Sequence, residues 1–115
     1  PYESIYQMAV SRQPMDGVVC YNDQIAIQVI QALNDAGLKV PEDISVTGYD
    51  NSYMANVNGL RLTSIIHPQE KLGEMAAELM LKLIQNGNEI KEEKKLLIEP
   101  EIIEGNSCTE RKNNL

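Results

Sequence analysis

Apolar residues recur along the chain in two kinds of pattern, and each kind predicts a different element. Short apolar segments at residues 17–21, 44–48 and 62–66 predict three strands. The first is expected to be buried on both faces, because its apolar residues do not alternate with polar ones. Two further short strands are predicted at residues 96–98 and 102–103. The strand candidates are therefore spread over most of the chain.

Three longer segments, residues 4–10, 23–36 and 69–85, have the spacing of amphipathic helices. Asp23 is predicted to cap the second helix, and Gly37 to end it in the left-handed conformation. The apolar stripes of the second and third helices are predicted to face the core: Ile25, Ala26, Val29, Ile30 and Leu33 in one, and Leu72, Met75, Ala76, Leu79, Met80 and Leu83 in the other.

The order of the elements predicts an α/β fold with a mostly parallel sheet. The first strand, the second helix and the second strand together span about 30 residues, the length of a right-handed parallel crossover. Ligands of such sheets bind outside the carboxyl ends of the strands. Polar side chains follow all three main strands: Tyr21, Asn22 and Asp23 after the first, Tyr49, Asp50 and Asn51 after the second, and His67 after the third.

These strand-end side chains suit a neutral ligand with several hydroxyl groups. Amide and carboxylate groups exchange hydrogen bonds with hydroxyls, and a tyrosine ring stacks on the C–H face of a sugar. Structural roles compete with ligand contact at each position. Asn22 is also a good N-cap, Asp50 a good turn former, and His67 a lone histidine before a proline, which is most often structural.

The charge of the chain limits its partners. Among 115 residues, 17 acidic side chains against 10 Lys and Arg give a net charge of −7 at pH 7. Such a surface repels phosphate backbones, so direct contact of these residues with DNA is not expected. No signal peptide is recognisable, and no apolar run approaches the about 18 residues of a membrane span.

The two cysteines, Cys20 and Cys108, are too few for a disulfide framework, which favours a reducing, cytoplasmic setting. Cys20 is predicted to be an inert buried thiol because it lies within an apolar segment. The sequence suggests no metal and no cofactor.

Three blocks of sequence carry a resemblance to a known family. They are the helix start "ND-x-x-A" from Asn22, the block "AGLKVPEDISVTGYD" at residues 36–50, and "LTSIIHPQEKLG" at residues 62–73. In this order and spacing they resemble the LacI/GalR family of sugar-responsive repressors, over roughly residues 16–104. The variants "CYND" and "HP" are most similar to the arabinose-repressor type within it.

The resemblance implies a fold, a function and a set of partners. Residues 1–108 are expected to form the C-terminal subdomain of a type I periplasmic-binding-protein-like fold, a three-layer α/β sandwich, with a polar tail at residues 109–115. The effector, a small sugar such as L-arabinose, is expected to lie between this subdomain and another. Homodimers are expected, with Ile27 a candidate for the dimer face, and operator DNA is expected to bind through a module absent from this chain.

The effector contacts of the family carry over by position. Asn22 matches the amide of the "ND" motif, Asp50 matches the acid of "GYD", and His67 occupies the position after the third strand. Tyr21 stands where other members carry a small residue or another aromatic. The resemblance therefore implies an effector site of Asn22, Asp50, His67 and Tyr21.

Three other classes of function compete with this interpretation. An enzyme is not expected, since the chain has one histidine and no G-x-S-x-G, P-loop or paired metal-ligand spacing. A phosphoacceptor domain would need an acidic pair after the first strand, where Asn22 and Asp23 supply half of it. A sugar-binding protein of a transport system shares the fold, and a secretory signal upstream would distinguish it from a repressor.

Overall fold

The computed structural model describes residues 1–87 and 95–111, and the chain divides into two compact units. The larger unit consists of Pro1–Ile66 and Glu101–Leu115, and the smaller unit of His67–Pro100. The end of the polar tail predicted at residues 109–115 lies outside the described residues.

The larger unit contains two α-helices, a 3-10 turn and six short strands. In chain order they are α1 (Tyr2–Val10), β1 (Gly17–Val19), α2 (Asp23–Asp35), β2 (Ser45–Thr47), the 3-10 turn (Tyr53–Ala55), β3 (Asn56–Val57), β4 (Leu60–Arg61), β5 (Ser64–Ile66) and β6 (Glu101–Ile103). The smaller unit contains α3 (Gln69–Gln85). All three predicted helices are confirmed, to within two residues at their ends.

Parallel pairing forms the part of the sheet that the strand–helix–strand pattern predicts. β1 pairs with β2 in parallel, with Val18 opposite Val46. On the other side of β2, Thr47 forms a parallel bridge with Thr63, and the Gly48 amide donates to the Thr63 carbonyl at 2.9 Å. The first three predicted strands therefore lie side by side and run in the same direction.

The other strand pairs of the larger unit are antiparallel. β5 pairs with β6, and β3 pairs with β4 across a two-residue turn. Asn58 and Gly59 form this turn with φ angles of 51° and 82°, the positive values that a tight hairpin needs at both positions. The strand predicted at residues 96–98 is wrong, since those residues have no regular structure.

The core of the larger unit lies between α2 and the sheet. The stripe predicted for α2 is confirmed at Ala26, Val29, Ile30 and Leu33, all buried, while Ile25 is half-buried against them. Ile27, the residue expected as a candidate for the dimer face, also packs against this core and is half-buried.

β1 is not buried on both faces, which corrects the sequence prediction. Val19 is 88% exposed, whereas Val18 packs against the core. β1 lies at one end of the parallel pairing. Among the described residues, only its Val18 face packs against the core. The unbroken apolar run therefore predicted the strand correctly, but its prediction of burial on both faces was wrong.

The apolar stripe of α3 is not buried, which corrects the prediction that it faces the core. No residue of α3 is buried, and Leu72 and Met80 are more than half exposed. Within the described part of the smaller unit α3 is the only regular element, and those residues supply no second layer to cover it. The periodicity correctly predicted the helix, because spacing along a helix is a local property.

A segment after β6 packs into the larger unit. Ser107 is fully buried; its hydroxyl donates to the Val46 carbonyl at 2.5 Å and accepts from the Thr63 amide at 2.9 Å. Arg111 further along forms an exposed ion pair with Asp16. The segment thereby provides hydrogen-bond partners for backbone groups of two neighbouring strands.

Candidate ligand-binding site at the strand ends

The carboxyl end of β1 turns directly into α2. The Cys20 amide donates to the Thr47 carbonyl at 3.0 Å, which extends the parallel pairing one residue beyond β1. Tyr21 follows with its side chain 84% exposed. Asn22 has extended backbone angles and is the N-cap of α2, because its side chain accepts from the Ile25 amide at 2.9 Å.

The cap assignment corrects the prediction for Asp23. Asn22 provides the capping acceptor, and Asp23 is the first residue of the helix. The Oδ1 atom of Asn22 is therefore committed to the helix, whereas within the described residues its Nδ2 atom has no hydrogen bond. The nitrogen is therefore the atom of this amide that is available as a donor to a ligand.

Asp23 is a buried carboxylate with structural contacts on both oxygens. It is 1% exposed; Oδ1 accepts from the Ser64 hydroxyl at 2.7 Å and Oδ2 accepts from the Ser52 amide at 2.6 Å. The Asp23 amide donates to the Tyr49 carbonyl at 3.0 Å. Asp23 thus joins the start of α2 to the loop after β2 and to β5.

The loop after β2 makes a tight turn at the predicted ligand acid. Asp50 and Asn51 have φ angles of 92° and 46°, in the left-handed region that non-glycine residues rarely adopt. The Asp50 amide donates to the Ile65 carbonyl at 2.9 Å, and the Asn51 amide donates to the Ser64 hydroxyl at 3.0 Å. The Asp50 side chain itself is exposed.

Because residue 48 is glycine, the backbone at the end of β2 can pack directly against Asp23. A Cβ atom at position 48 would overlap the Asp23 carboxylate and would lie 3.2 Å from the Asp23 Cα atom. The two motifs "ND" and "GYD" are therefore in contact, and glycine is the residue that fits this approach. Sequence reasoning missed this contact, although the glycine before the predicted ligand acid was a visible signal of close backbone packing.

The structure brings three of the four predicted site residues to one unit. Tyr21 and Asn22 follow β1, and Asp50 follows β2; the hydrogen bond between the Asp23 amide and the Tyr49 carbonyl ties the two strand ends together. His67 belongs to the smaller unit, where it is half-buried.

The side chains at the carboxyl ends of β1 and β2 are suited to form hydrogen bonds. Burial raises the pKa of the Cys20 thiol to about 11, so at neutral pH the group beside Tyr21 is an uncharged thiol rather than a nucleophilic thiolate. Among residues 1–87 and 95–111, no group of acidic, histidine and cysteine side chains is arranged to hold a metal ion. Within the same residues, no helix has the length and apolar character to span a membrane.

The larger unit is an α/β unit with polar groups gathered at the carboxyl ends of parallel strands, the place where ligands bind in open α/β sheets. Residues 2–108 match the model of the periplasmic binding protein-like domain family. The chain belongs to this family, and its fold is the α/β fold expected from the sequence.

Known relatives and a solved structure agree with this assignment. The chain is 30% identical, over 98% of its length, to the arabinose metabolism transcriptional repressor of Halalkalibacterium halodurans, and it covers 31% of that protein. It is 35% identical, over 95% of its length, to the HTH-type transcriptional repressor PurR of Photorhabdus laumondii subsp. laumondii, again covering 31%.

The solved structure is that of a LacI family transcriptional regulator from Enterococcus faecium with bound ribose. It matches 96% of this chain and 41% of its own, with a TM-score of 0.73 and 32% identity. These findings confirm the resemblance to LacI-type repressors. The chain spans about a third of the length of the curated relatives.

Proposed function

We propose that this chain is the sugar-sensing part of a bacterial transcriptional repressor of carbohydrate utilisation. The observation that carries the proposal is the pairing of a buried and an exposed acid at one strand edge. Asp23 is buried and accepts structural hydrogen bonds on both oxygens, and Asp50, on the turn that Asp23 contacts, has an exposed side chain beyond the end of β2. An exposed acid on a held turn is suited to accept hydrogen bonds from sugar hydroxyls.

Each proposed contact has a definite chemical role. Asp50 accepts from one or two hydroxyl groups, and the Nδ2 atom of Asn22 donates to a hydroxyl oxygen. The exposed ring of Tyr21 packs on the C–H face of the sugar. His67 is also proposed as a donor or acceptor, on the basis of its position in the sequence after the third strand.

The proposed ligand class is a small sugar, with pentoses as the first candidates. One relative is named for arabinose metabolism, and the solved neighbour holds ribose; both are five-carbon sugars. The chemistry at the strand ends supports a neutral ligand, since Asp50 would repel an anion placed against it. L-arabinose is the specific effector proposed.

The remaining parts of the proposal concern the whole protein. Operator DNA binds through a module outside this acidic chain, the repressor acts as a homodimer in the cytoplasm, and it catalyses no reaction. The sugar changes operator affinity by binding one conformation of the protein more tightly than the other. A repressor is favoured over a transport protein because both curated relatives described above are named as repressors.

The reading frame upstream of residue 1 and an operator-release assay test this proposal. A DNA-binding segment upstream, followed by sugar-dependent release of operator by the intact protein, is the expected result. Asp50→Asn should retain operator binding and lose the response to sugar, because asparagine tolerates the left-handed backbone that Asp50 adopts.

Glu42→Gln is the matched control, since Glu42 is an exposed acid in the turn before β2. It should respond to sugar as the unmodified protein does. A secretory signal upstream, or an intact protein whose operator binding no pentose or hexose alters, would contradict the proposal.

A further inference from the structure

One buried carboxylate orients two consecutive backbone amides of the turn that carries Asp50. Asp23 accepts directly from the Ser52 amide at 2.6 Å. It also accepts at 2.7 Å from the Ser64 hydroxyl, whose oxygen accepts from the Asn51 amide at 3.0 Å. The Asp23 carboxylate, the Ser64 hydroxyl and the amides of Asn51 and Ser52 form a continuous network, which we call the Asp23 brace.

The turn that the Asp23 brace holds is strained. Asp50 and Asn51 both have φ angles in the left-handed region, which costs free energy in residues with a side chain. Such a conformation persists only when surrounding interactions determine it. The contacts on the amides of Asn51 and Ser52 are interactions of this kind, and they follow Asp50 immediately in the chain.

Burial explains why a carboxylate is a costly choice for a brace. Asp23 and Ser64 are each 1% exposed, and a buried carboxylate is tolerated only when hydrogen bonds compensate for lost hydration. The α2 helix does not need Asp23 as a cap, because Asn22 fills that role. What the buried acid supplies beyond the cap is the fixed geometry of the turn.

We infer that Asp23 is a positioning residue for ligand binding, acting through Ser64 and the amides of Asn51 and Ser52 to set the direction of Asp50. The role of Asp50 as a ligand acceptor rests on the function proposed above. The effect of Asp23 on the turn itself does not. The two parts are therefore measured separately.

The first measurement is amide hydrogen exchange by NMR on the complete 115-residue chain. Asp23→Ala should increase exchange at Ser52 by about tenfold relative to the core amide of Val46, the change expected for one lost hydrogen bond. Exchange at Asn51 should also increase, but less, because its acceptor, the Ser64 hydroxyl, remains and loses only the carboxylate that orients it. Ser64→Ala should increase exchange at Asn51 more than at Ser52, because the direct contact between Asp23 and Ser52 survives. Normalising to Val46 removes any change in global stability.

Asp35→Ala is the matched control. It removes an acid from the other end of α2, where the side chain is exposed and bonded to Tyr2 and Gln31. It should leave the exchange ratios of Asn51 and Ser52 to Val46 unchanged. If Asp23→Ala does not fold, the Ser64→Ala pattern decides the question in its place.

The second measurement is the affinity of the same variants for L-arabinose and D-ribose. Asp23→Ala or Ser64→Ala should weaken binding about tenfold while Asp50 is intact, and Asp35→Ala should not. Unchanged exchange ratios in both brace variants would overturn the inference, as would faster exchange with unchanged sugar affinity. Faster exchange in a chain whose unmodified form binds neither sugar would uphold the positioning of the turn and count against the proposed function.

Discussion

Gly48 and Asp23 approach so closely that any side chain at position 48 would overlap the Asp23 carboxylate. The contact joins the end of β2 to the start of α2, and it places the Asp50 turn directly over the Asp23 brace. Two motifs that are 25 residues apart in the sequence therefore form one packed unit. The geometry of the candidate site depends on that unit.

Replacing Gly48 tests the close approach. Gly48→Ala should lower the free energy of unfolding by about 1–3 kcal/mol, the usual cost of forcing an extra group into a packed interior. Urea denaturation of the 115-residue chain measures it. Gly73→Ala is the control, because a Cβ atom there meets nothing within 4 Å. The packing account is wrong if both variants unfold at the same urea concentration as the unmodified chain.

Ser107 tests the role of the segment after β6. Ser107→Ala removes a hydroxyl that bonds two backbone groups, the Val46 carbonyl and the Thr63 amide. The free energy of unfolding should fall by about 1–2 kcal/mol, since the Thr63 amide loses its acceptor and the Val46 carbonyl keeps only the weak Cys108 thiol donor at 3.4 Å. Ser4→Ala, on the exposed face of α1, should have little effect. Equal stability of the two variants would argue against this segment as a structural part of the sheet.

The helices were predictable because their signal is local. The spacing of apolar residues in α2 and α3 sets which side chains share a face, whatever else the fold contains. Burial was less predictable, because it depends on what covers that face. The stripe of α2 is buried by the sheet, while Val19 and the stripe of α3 have no cover among the described residues.

The candidate site was predictable in its location but not in its internal division of roles. Strand ends of a parallel sheet pointed to Asn22 and Asp50, and both lie at that edge of the larger unit. Nothing local distinguishes Asn22 from Asp23 as the cap. The distinction comes from Ser64, which is 41 residues further along and bonds to Asp23 only in the folded chain. The prediction for His67 as an effector contact stays a prediction.

Thiol reactivity tests the burial of Cys20. Its pKa is raised to about 11 by burial, against an ordinary value of 9.0. Since only the thiolate reacts, alkylation at pH 8 should be about a hundredfold slower in the folded chain than in urea. The neutral thiol contributes stability below pH 9, and this is lost as the pH rises through about 11. Cys108→Ser isolates the signal, and equal rates in folded and unfolded chains would contradict the assignment.

A second pH dependence tests the contact between α1 and α2. The Tyr2 hydroxyl donates to the Asp35 carboxylate at 2.6 Å, which raises the pKa of Tyr2 from 10.0 to about 12. The hydrogen bond favours the protonated phenol, so its stabilisation is present below pH 10 and disappears as the pH rises through about 12. Asp35→Ala should return the pKa of Tyr2 towards 10.0.

Alkaline absorbance titration measures this change. The difference between a chain with Tyr2 and the matching Tyr2→Phe chain isolates the Tyr2 transition from those of the other four tyrosines. An unchanged transition after Asp35→Ala would show that the hydrogen bond is absent in solution.

The central claim is that the strand ends bind sugar through Asp50. Amide NMR of the labelled chain, titrated with L-arabinose and D-ribose, tests it most directly, with glycerol as the control for a general hydroxyl effect. The account predicts saturable, millimolar shifts at Tyr21, Asn22 and Asp50, weakened about tenfold by Asp50→Asn through loss of a charged acceptor and unaffected by Glu42→Gln. Shifts that are absent with both sugars, or that survive Asp50→Asn unchanged, would contradict it.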